Sequence, residues 1–478
     1  MRRLAALTFI VVSLAALTAR VAGPVDIAPP LHLSLILPPL ETAPLLPMTG
    51  KAGPGPLFLT AHPPAETPGE EKQVSILLAG DTGLNSSFQP VQAGFGLRYG
   101  ARIAFSEATP DIAGMITGDV NFANLETVVT DRNSLGATPK MFGFRTHPDG
   151  VRELIRVGFN LFSTANNHAL DYGRAGAGET LRHLDAVGVV HAGLGRTPEE
   201  AAAARVIERR GVRIALGAIG IGGAGFDPDE GASQLAFTEK NLSQVVSNLA
   251  SSDAQVRILS AHYGDEFDVK TTAAERTRFL AVLEGGADIV VGHHQHVVAG
   301  IELVGDKVIF YGLGNFLHWG TQDMGRHDMC RDYGLVARVH LAGAEGQPMA
   351  VRAIEAIAVT DMHARPRPLD AATASERIHV LNYLNEQFGA RGVRFGIGDD
   401  GTGLYCAPGA ERLRGRIGVR CAAPPAVVAP SPALATRISA ACARRVVRVA
   451  ETEVPVNTMM PGTGGGAEAV SLQEGGAP

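Results

Sequence analysis

The sequence predicts an α/β fold, because strand-forming and helix-forming segments alternate along its central part. Short apolar runs that are typical of buried strands recur between longer segments that are compatible with helices. Hydrophobic residues make up 45% of the 478 residues and charged residues 19%, which is typical of a globular protein with a sizeable core. Strands that alternate with helices favour a sheet whose two faces are covered by helices.

Each predicted element follows from its local pattern. Short apolar runs predict strands over residues 74–79, 120–125, 160–164, 212–219, 255–260, 288–291 and 307–311. Longer segments of mixed polarity predict helices over residues 148–157, 176–187, 239–250 and 272–283. Residues 101–116 are also compatible with a helix.

The two ends of the chain differ from its centre in composition. Arg2 and Arg3 precede an apolar stretch and then small residues around Ala22, so residues 1–22 are predicted to be an export signal peptide or an uncleaved anchor. Residues 23–72 are rich in proline and are expected to form a linker. Residues 411–478 are rich in Pro, Ala and Gly and are expected to be a partly disordered extension. We therefore expect an exported protein that is periplasmic or membrane-anchored and faces outward.

Charge and cysteine content narrow the function classes. The formal net charge of −6 provides no basic surface for a phosphate backbone, so a nucleic-acid partner is not expected. The four cysteines are compatible with an oxidising compartment. A disulfide between Cys406 and Cys421 is plausible from their short separation, and Cys330 and Cys442 would form a second one. The sequence alone leaves three connectivities open.

Metal-competent side chains follow five of the predicted strands, at the point where each strand ends. They are Asp81, Glu126, the run Asn166, Asn167 and His168, then His262, and finally His293, His294 and His296. Ligands of open α/β sheets lie at the carboxyl ends of strands, so these side chains are expected to meet. The sequence therefore predicts a divalent-metal site.

The ligand types indicate the class of metal. Carboxylate, amide and imidazole groups without a thiolate suit Mn, Zn, Fe or Mg. Side chains alternate along an extended segment, so His294 and His296 are expected to point to the same side. A carboxylate between two ions can bridge them, and two ions about 3.5–4 Å apart can activate a water and hold a phosphoryl group. One or two ions are expected.

One glycine-rich motif does not fit this chemistry. Residues 220–225 match GxGxxG after a predicted strand, but residues 226–230 have turn chemistry where a dinucleotide site requires a helix. A Rossmann-type cofactor site is therefore not expected.

Six further segments occur in a fixed order along the chain: LLAGDTGLN (77–85), FANLET (122–127), STANNHALDYG (163–173), SAHYGDEF (260–267), GADIVVGHHQHVV (286–298) and VIFYGLGNF (308–316). Together they resemble the CapA-type poly-γ-glutamate capsule-synthesis family, which belongs to the calcineurin-like metallophosphoesterases. The resemblance implies a domain over residues 73–410. It also implies a calcineurin-like metallophosphoesterase-type β-sandwich flanked by helices.

The resemblance further implies a role for each matched residue. The metal ligands would be Asp81 and His296 for a first ion, Glu126 as the bridge, and Asn167, His262 and His294 for a second ion. His168 would face the leaving group, Glu266 would support the site or the substrate, and Asn315 would shape the loop beneath. The wider phosphoesterase pattern has a histidine two residues after the first aspartate, where this sequence has Gly83. The first ion is therefore expected to have fewer protein ligands.

The function that the resemblance implies is that of an exported, metal-dependent, hydrolase-like protein of capsule or exopolymer (poly-γ-glutamate) synthesis. In this hypothesis a phosphoester is hydrolysed and His168 protonates the leaving oxygen. Two alternatives stay open. One is a γ-glutamyl amide hydrolase or ligase component, and the other is a non-catalytic, metal-stabilised assembly component. The expected partners are an anionic polymer or phosphoester substrate and a membrane-bound polymer-synthesis complex.

Overall fold

The computed structural model describes residues 71–345 and 347–443. The strands are β1 Lys72–Gly83, β2 Phe95–Arg98, β3 Ala101–Ala104, β4 Val120–Leu125, β5 Val128–Val129, β6 Arg145–Thr146, β7 Leu161–Ser163, β8 Val190–Ala192, β9 Leu194–Gly195, β10 Arg205–Arg209, β11 Val212–Gly220, β12 Ser233–Gln234, β13 Val256–His262, β14 Ile289–His293, β15 Ile301–Val304, β16 Lys307–Phe310, β17 Asn315–His318, β18 Gly334–Gly343, β19 Ala350–Thr360, β20 Arg367–Pro368, β21 Gly396–Ile397 and β22 Gly403–Cys406. The α-helices are α1 Phe105–Ala108, α2 Pro110–Ala113, α3 Pro148–Arg156, α4 Gly173–Val187, α5 Pro198–Ala202, α6 Glu239–Ala250, α7 Ala273–Glu284, α8 Ala371–Asn385, α9 Arg416–Ala422 and α10 Pro432–Ala443. The predicted signal or anchor, nearly all of the predicted linker and residues 444–478 lie outside the described residues.

The larger sheet of the described part has ten strands and combines parallel and antiparallel pairs. Its main order is β21-β22-β19-β18-β1-β4-β7-β8, with β17 also paired to β1 and β20 to β19. The strands β1, β4, β7 and β8 run parallel to one another, and β17 runs parallel to β1. Their carboxyl ends therefore lie at the same edge of the sheet.

The second sheet has six strands in the order β10-β11-β13-β14-β16-β15. Its four central strands are parallel, and the two outer strands pair antiparallel to them. The strand β11 ends at Gly220, and the next helix in the described part is α6. The GxGxxG match therefore opens no helix, as predicted.

The two sheets face each other across one apolar core, which makes the fold a β-sandwich. Ile214 and Leu216 of β11 belong to the same buried cluster as Ile76 of β1. The intervening residue Ala215 belongs to a second cluster, which the second sheet forms with α6 and α7. This alternation follows from the period-two geometry of a strand. The predicted fold class, an α/β sandwich flanked by helices, is confirmed.

Several predicted elements need correction. Residues 101–116 do not form one helix: β3 is followed by two four-residue helices, and the second begins at Pro110, which has no backbone N–H to continue the first. The larger sheet also contains β18 and β19, two long strands that follow residues 307–311 and that the apolar runs did not predict. Polar residues such as Arg338 and His340 interrupt the apolar run of β18, which hides it from a search for continuous apolar segments.

The C-terminal helices α9 and α10 belong to the folded part, so the fold continues beyond the predicted boundary at residue 410. Cys421 in α9 is bonded to Cys406 in β22, and Cys442 in α10 is bonded to Cys330. One of the three possible connectivities is thereby selected. Among the described residues, we find no helix that combines the length and the apolar character needed to cross a bilayer.

Candidate metal centre

The polar side chains at the strand ends converge where the parallel strands of both sheets terminate. The larger sheet supplies Asp81 in β1, Glu126 directly after β4 and Asn167 after β7, and the second sheet supplies His262 in β13 and His294 and His296 directly after β14. In one group, the potential ligand atoms lie within 4.8 Å of one another, and they belong to Glu126, His262 and His294. Asp81, Glu126 and His296 satisfy the same limit. Glu126 is therefore shared by two groups of potential ligands.

Glu126 is a buried carboxylate surrounded by imidazole rings. Its Oε1 atom lies 3.4 Å from Nε2 of His262 and 3.9 Å from Nε2 of His168. Its Oε2 atom lies 3.4 Å from Nε2 of His318 and 4.0 Å from Nδ1 of His296. Neither oxygen accepts a hydrogen bond from any described residue. An unsatisfied buried carboxylate is unfavourable, so this position suits a compensating cation.

The group around His262 is held by amide side chains. Nε2 of His262 lies 2.8 Å from Oδ1 of Asn167. Asn124 donates from Nδ2 to Oδ1 of Asp81 at 2.9 Å and lies 3.1 Å from Nδ1 of His262. Asn124 thus connects a residue of the larger sheet to a residue of the second sheet and fixes their separation.

The loop after β14 adopts strained backbone conformations at both of its site histidines. His294 has φ of 92° and His296 has φ of 57°, which residues other than glycine rarely adopt. Strain of this kind costs on the order of 1–3 kcal/mol per residue and persists where the surroundings enforce it. In this loop it aims Nδ1 of His296 at Oδ2 of Asp81, 3.2 Å away, and at Oδ1 of Asn315, 2.8 Å away. Asn315 therefore orients a site histidine.

Burial and neighbouring charges shift the pKa values of the site residues in different directions. Burial raises the pKa of Glu126 to about 7, and the charge of Asp81 adds to this effect. Burial also lowers the pKa of His294 to about 4 and holds that of His262 well below its ordinary range, so both rings are neutral at pH 7. Neutral imidazole is the form that binds metals.

His296 behaves in the opposite way. Burial alone lowers its pKa, but the carboxylates of Glu126 and Asp81 outweigh burial and raise the pKa to about 10. In the absence of a metal, a proton on His296 therefore balances the two carboxylates. The two carboxylates therefore favour a positive charge at the position of His296. A divalent cation, which these donor groups suit, would also supply a positive charge there.

His168 lies beside the two groups and is oriented from behind. Its Nδ1 atom lies 2.7 Å from Oδ2 of Asp171, and Oδ1 of Asp171 accepts a bond from Nζ of Lys140 at 2.6 Å. This contact leaves Nε2 as the nitrogen that faces Glu126. Asp171 is fully buried, so it holds the ring of His168 in one orientation.

Glu266 lies at the more open side of the site. One of its carboxylate oxygens is within 4.8 Å of nitrogen atoms of His294 and His296, and its side chain is only partly buried. This placement is compatible with the supporting role that the sequence predicted.

Sequence reasoning missed four residues of this centre: His318, Asn124, Asp171 and Lys140. Asp171 lies inside the quoted segment STANNHALDYG, three residues after His168, so that segment contained its signal. Asn124 lies in FANLET, two residues before Glu126, so that segment also contained its signal. Lys140 and His318 lie outside the quoted segments, and only the fold brings them to the site.

Comparison with known proteins identifies the family to which this chain belongs. Residues 75–319, slightly more than half of the chain, match the model of the family described as "Bacterial capsule synthesis protein PGA_cap". The chain belongs to this family. Every residue of the two potential ligand groups lies within the matched PGA_cap region.

Two curated relatives show the extent of the similarity. The PGA biosynthesis protein CapA of Bacillus subtilis is 32% identical over 200 residues, which cover 41% of this chain and 52% of the relative. The capsule biosynthesis protein CapA of Bacillus anthracis is 24% identical over 253 residues, which cover 52% of this chain and 60% of the relative. The chain therefore spans little more than half the length of these relatives.

Similarity to solved structures is weak. A 5'-nucleotidase from Candida albicans is 9% identical with a TM-score of 0.32, and the match covers 57% of this chain and 49% of the nucleotidase. This likeness carries no argument about function.

Proposed function

We propose that this chain is an exported, metal-dependent hydrolase that acts in capsule or exopolymer synthesis of the poly-γ-glutamate type. The observation that carries the proposal is Glu126, a buried carboxylate without a hydrogen bond in the described structure, at the junction of two potential ligand groups. The pairing of carboxylate and imidazole donors suits Mn, Zn or Fe, and the oxygen donors also suit Mg.

The residues divide the expected chemistry between them. A divalent cation bound at this centre supplies Lewis-acid activation of the bond to be broken. Asp81 and His296 would hold it on one side of Glu126, and His262 and His294 on the other. The oxygen donor of Asn167, 2.8 Å from His262, belongs with the second set.

His168 is placed to move a proton rather than to bind the cation. Its Nδ1 is engaged by Asp171, so its Nε2 is available to protonate a leaving oxygen. Lys140 holds Asp171 from the other side and donates to the backbone oxygen of Asn167 at 3.0 Å, which ties the proton donor to a metal ligand. A general acid at such a position typically contributes about 10²–10⁴-fold to the rate.

The capsule role and the location rest on other support. The family and the printed names of the relatives refer to capsule and PGA synthesis, and a CapA-like role would place the substrate among anionic polymers or phosphoesters. Two disulfides and the signal-like N-terminal sequence support export to an oxidising compartment. A membrane-bound polymer-synthesis complex is the partner that this location favours.

The test uses the full chain loaded with Mn²⁺ or Zn²⁺ and two chromogenic substrates, bis(4-nitrophenyl) phosphate and a γ-glutamyl 4-nitroanilide. We expect phosphodiester turnover that falls about 10²–10⁴-fold in His168→Asn, because Asn retains a partner for Asp171 but lacks Nε2. The control is His363→Asn, which changes a histidine paired with Asp323 outside the site.

The other possible outcomes of this substrate test would each support one of the alternative functions. Turnover of the anilide alone would support the amide-hydrolase alternative and contradict the phosphoesterase proposal. A chain that binds metal but turns over neither substrate would contradict both hydrolase hypotheses and favour the assembly component.

A further inference from the structure

His318 is a fully buried histidine whose Nε2 atom has no hydrogen-bond partner among the described residues. That atom lies 3.4 Å from Oε2 of Glu126, on the side of the carboxylate that faces the Asp81 and His296 group. Its ring also packs edge-on against His296, with 5.9 Å between the centroids. An imidazole nitrogen that is buried and aimed at an unsatisfied carboxylate indicates a missing third group between them.

The strand pairing explains how His318 reaches this position. Strand β17 runs parallel to β1, and His318 is the direct neighbour of Gly83 across that pair. A Cβ atom on residue 83 would lie 3.6 Å from both Cε1 and Nε2 of His318. The ring of His318 therefore lies over the bare backbone of Gly83, in the space that a side chain at residue 83 would otherwise enter.

The backbone holds the ring of His318 in this orientation. The N–H group of Gly320 donates to Nδ1 at 3.2 Å, and Phe144 packs edge-on against the ring at 5.1 Å between centroids. With Nδ1 as acceptor, the proton of a neutral ring sits on Nε2, which makes no hydrogen bond to Glu126 although Oε2 is 3.4 Å away. Binding of a cation at Nε2 would move this proton to Nδ1 and break the bond from Gly320, a small loss beside a metal–imidazole bond.

We propose that His318 is a ligand of the metal held by Asp81 and Glu126. A residue of β17 thus provides the imidazole that position 83, two residues after Asp81, lacks. The inference rests on the proposed function, since it requires the metal centre. It also raises the expected number of protein ligands for the ion beside Asp81 to four, which are Asp81, Glu126, His296 and His318.

The experiment measures metal affinity, independent of activity, on the full chain. Apo protein is titrated with Co²⁺ by equilibrium dialysis, and the visible absorption of the bound ion reports its ligand set. In His318→Asn the amide oxygen can keep the bond from Gly320 while Nε2 is removed. We expect the affinity of one Co²⁺ to fall at least tenfold and its absorption to change, since even supporting groups around a metal typically contribute 10–100-fold. His363→Asn is the matched control and should bind as wild type does.

Two further variants keep the outcome decisive. His318→Gln replaces His318→Asn if the latter does not fold, as judged by circular dichroism in EDTA. The double variant Gly83→His with His318→Asn moves the imidazole back to β1, and we expect it to recover part of the lost affinity. Wild-type affinity and an unchanged spectrum in the His318 variant that folds would overturn the inference, and His318 would then lie beside Glu126 without binding the ion.

Glu126→Gln separates this inference from the function on which it rests. If Glu126→Gln loses Co²⁺ while the His318 variants bind normally, the metal centre stands and the role of His318 is refuted. If Glu126→Gln also binds as wild type does, the metal centre itself is refuted.

Discussion

Replacement of Glu126 by Gln should stabilise the metal-free protein at pH 8 and remove its stabilisation by metal. Burial, reinforced by the charge of Asp81, raises the pKa of Glu126 from 4.5 to about 7. Because the folded-state pKa lies above the unfolded-state value, the stability that this group contributes is complete below pH 4.5. It is lost as the pH rises through 7.

The size of the effect follows from the two pKa values. The interval from 4.5 to about 7, at about 1.4 kcal/mol per pH unit, corresponds to a loss of about 3 kcal/mol for wild type at pH 8. The neutral amide of Gln has the same shape and does not ionise, so the variant should be more stable than wild type by about this amount at pH 8. At pH 5 the difference should be small.

Urea unfolding of the full chain measures both halves of this prediction. The first series is run in EDTA at pH 5 and pH 8, and the second with Mn²⁺ at pH 8. A metal present at about 100 times its Kd should raise the unfolding free energy of wild type by about 2.7 kcal/mol, and that of Glu126→Gln by much less. Equal stabilities in EDTA at pH 8, or equal gains with Mn²⁺, would refute the electrostatic account of Glu126.

The other predictions concern the proton donor, the C-terminal helices and the acid limit of the fold. Asp171→Asn should lower phosphodiester kcat by about 10²–10⁴-fold with unchanged bound metal, because Asp171 orients His168 and contacts neither ligand group; unchanged kcat would contradict this role. The double variant Cys330→Ser with Cys442→Ser should lower the unfolding free energy by about 4–5 kcal/mol, since the disulfide closes a separation of 112 residues; a loss below about 1 kcal/mol in denaturant unfolding would contradict it. Burial opposes ionisation of Glu355, but hydrogen bonds and charges of neighbouring basic side chains lower its pKa to about 2. Its contribution to stability is therefore present above pH 4.5 and lost as the pH falls towards 2, and Glu355→Gln should weaken that pH dependence in unfolding measured from pH 5 to pH 2.

The parallel strands and most of the potential ligands were predictable because their signals are local. Strand β4 matches its prediction at both ends. Strand β13, which ends at His262, and strand β14, which ends just before His294, differ from their predictions by one or two residues at each end. A short apolar run followed by a metal-competent side chain is visible in the sequence itself. The convergence of these side chains then follows from the rule that parallel strands end at one edge.

The rest of the centre depends on contacts between distant segments. His318 reaches the site only because β17 pairs with β1, whose Gly83 lies 235 positions earlier in the chain. Nothing in the local sequence of β17 indicates this neighbour. Similarly, the Pro- and Ala-rich composition after residue 410 predicts an extension, whereas the disulfides of Cys421 and Cys442 attach its helices to the domain.

The metal content of the purified full chain tests the central claim most directly. Wild type and the double variant His262→Asn with His294→Asn are loaded with Mn²⁺ or Zn²⁺, dialysed against metal-free buffer and analysed for elemental metal. We predict that wild type retains at least about one equivalent per chain, since neutral buried imidazoles and an unsatisfied carboxylate meet there, and that the double variant retains much less. The same metal content in both proteins, or none in wild type after loading, would contradict the account.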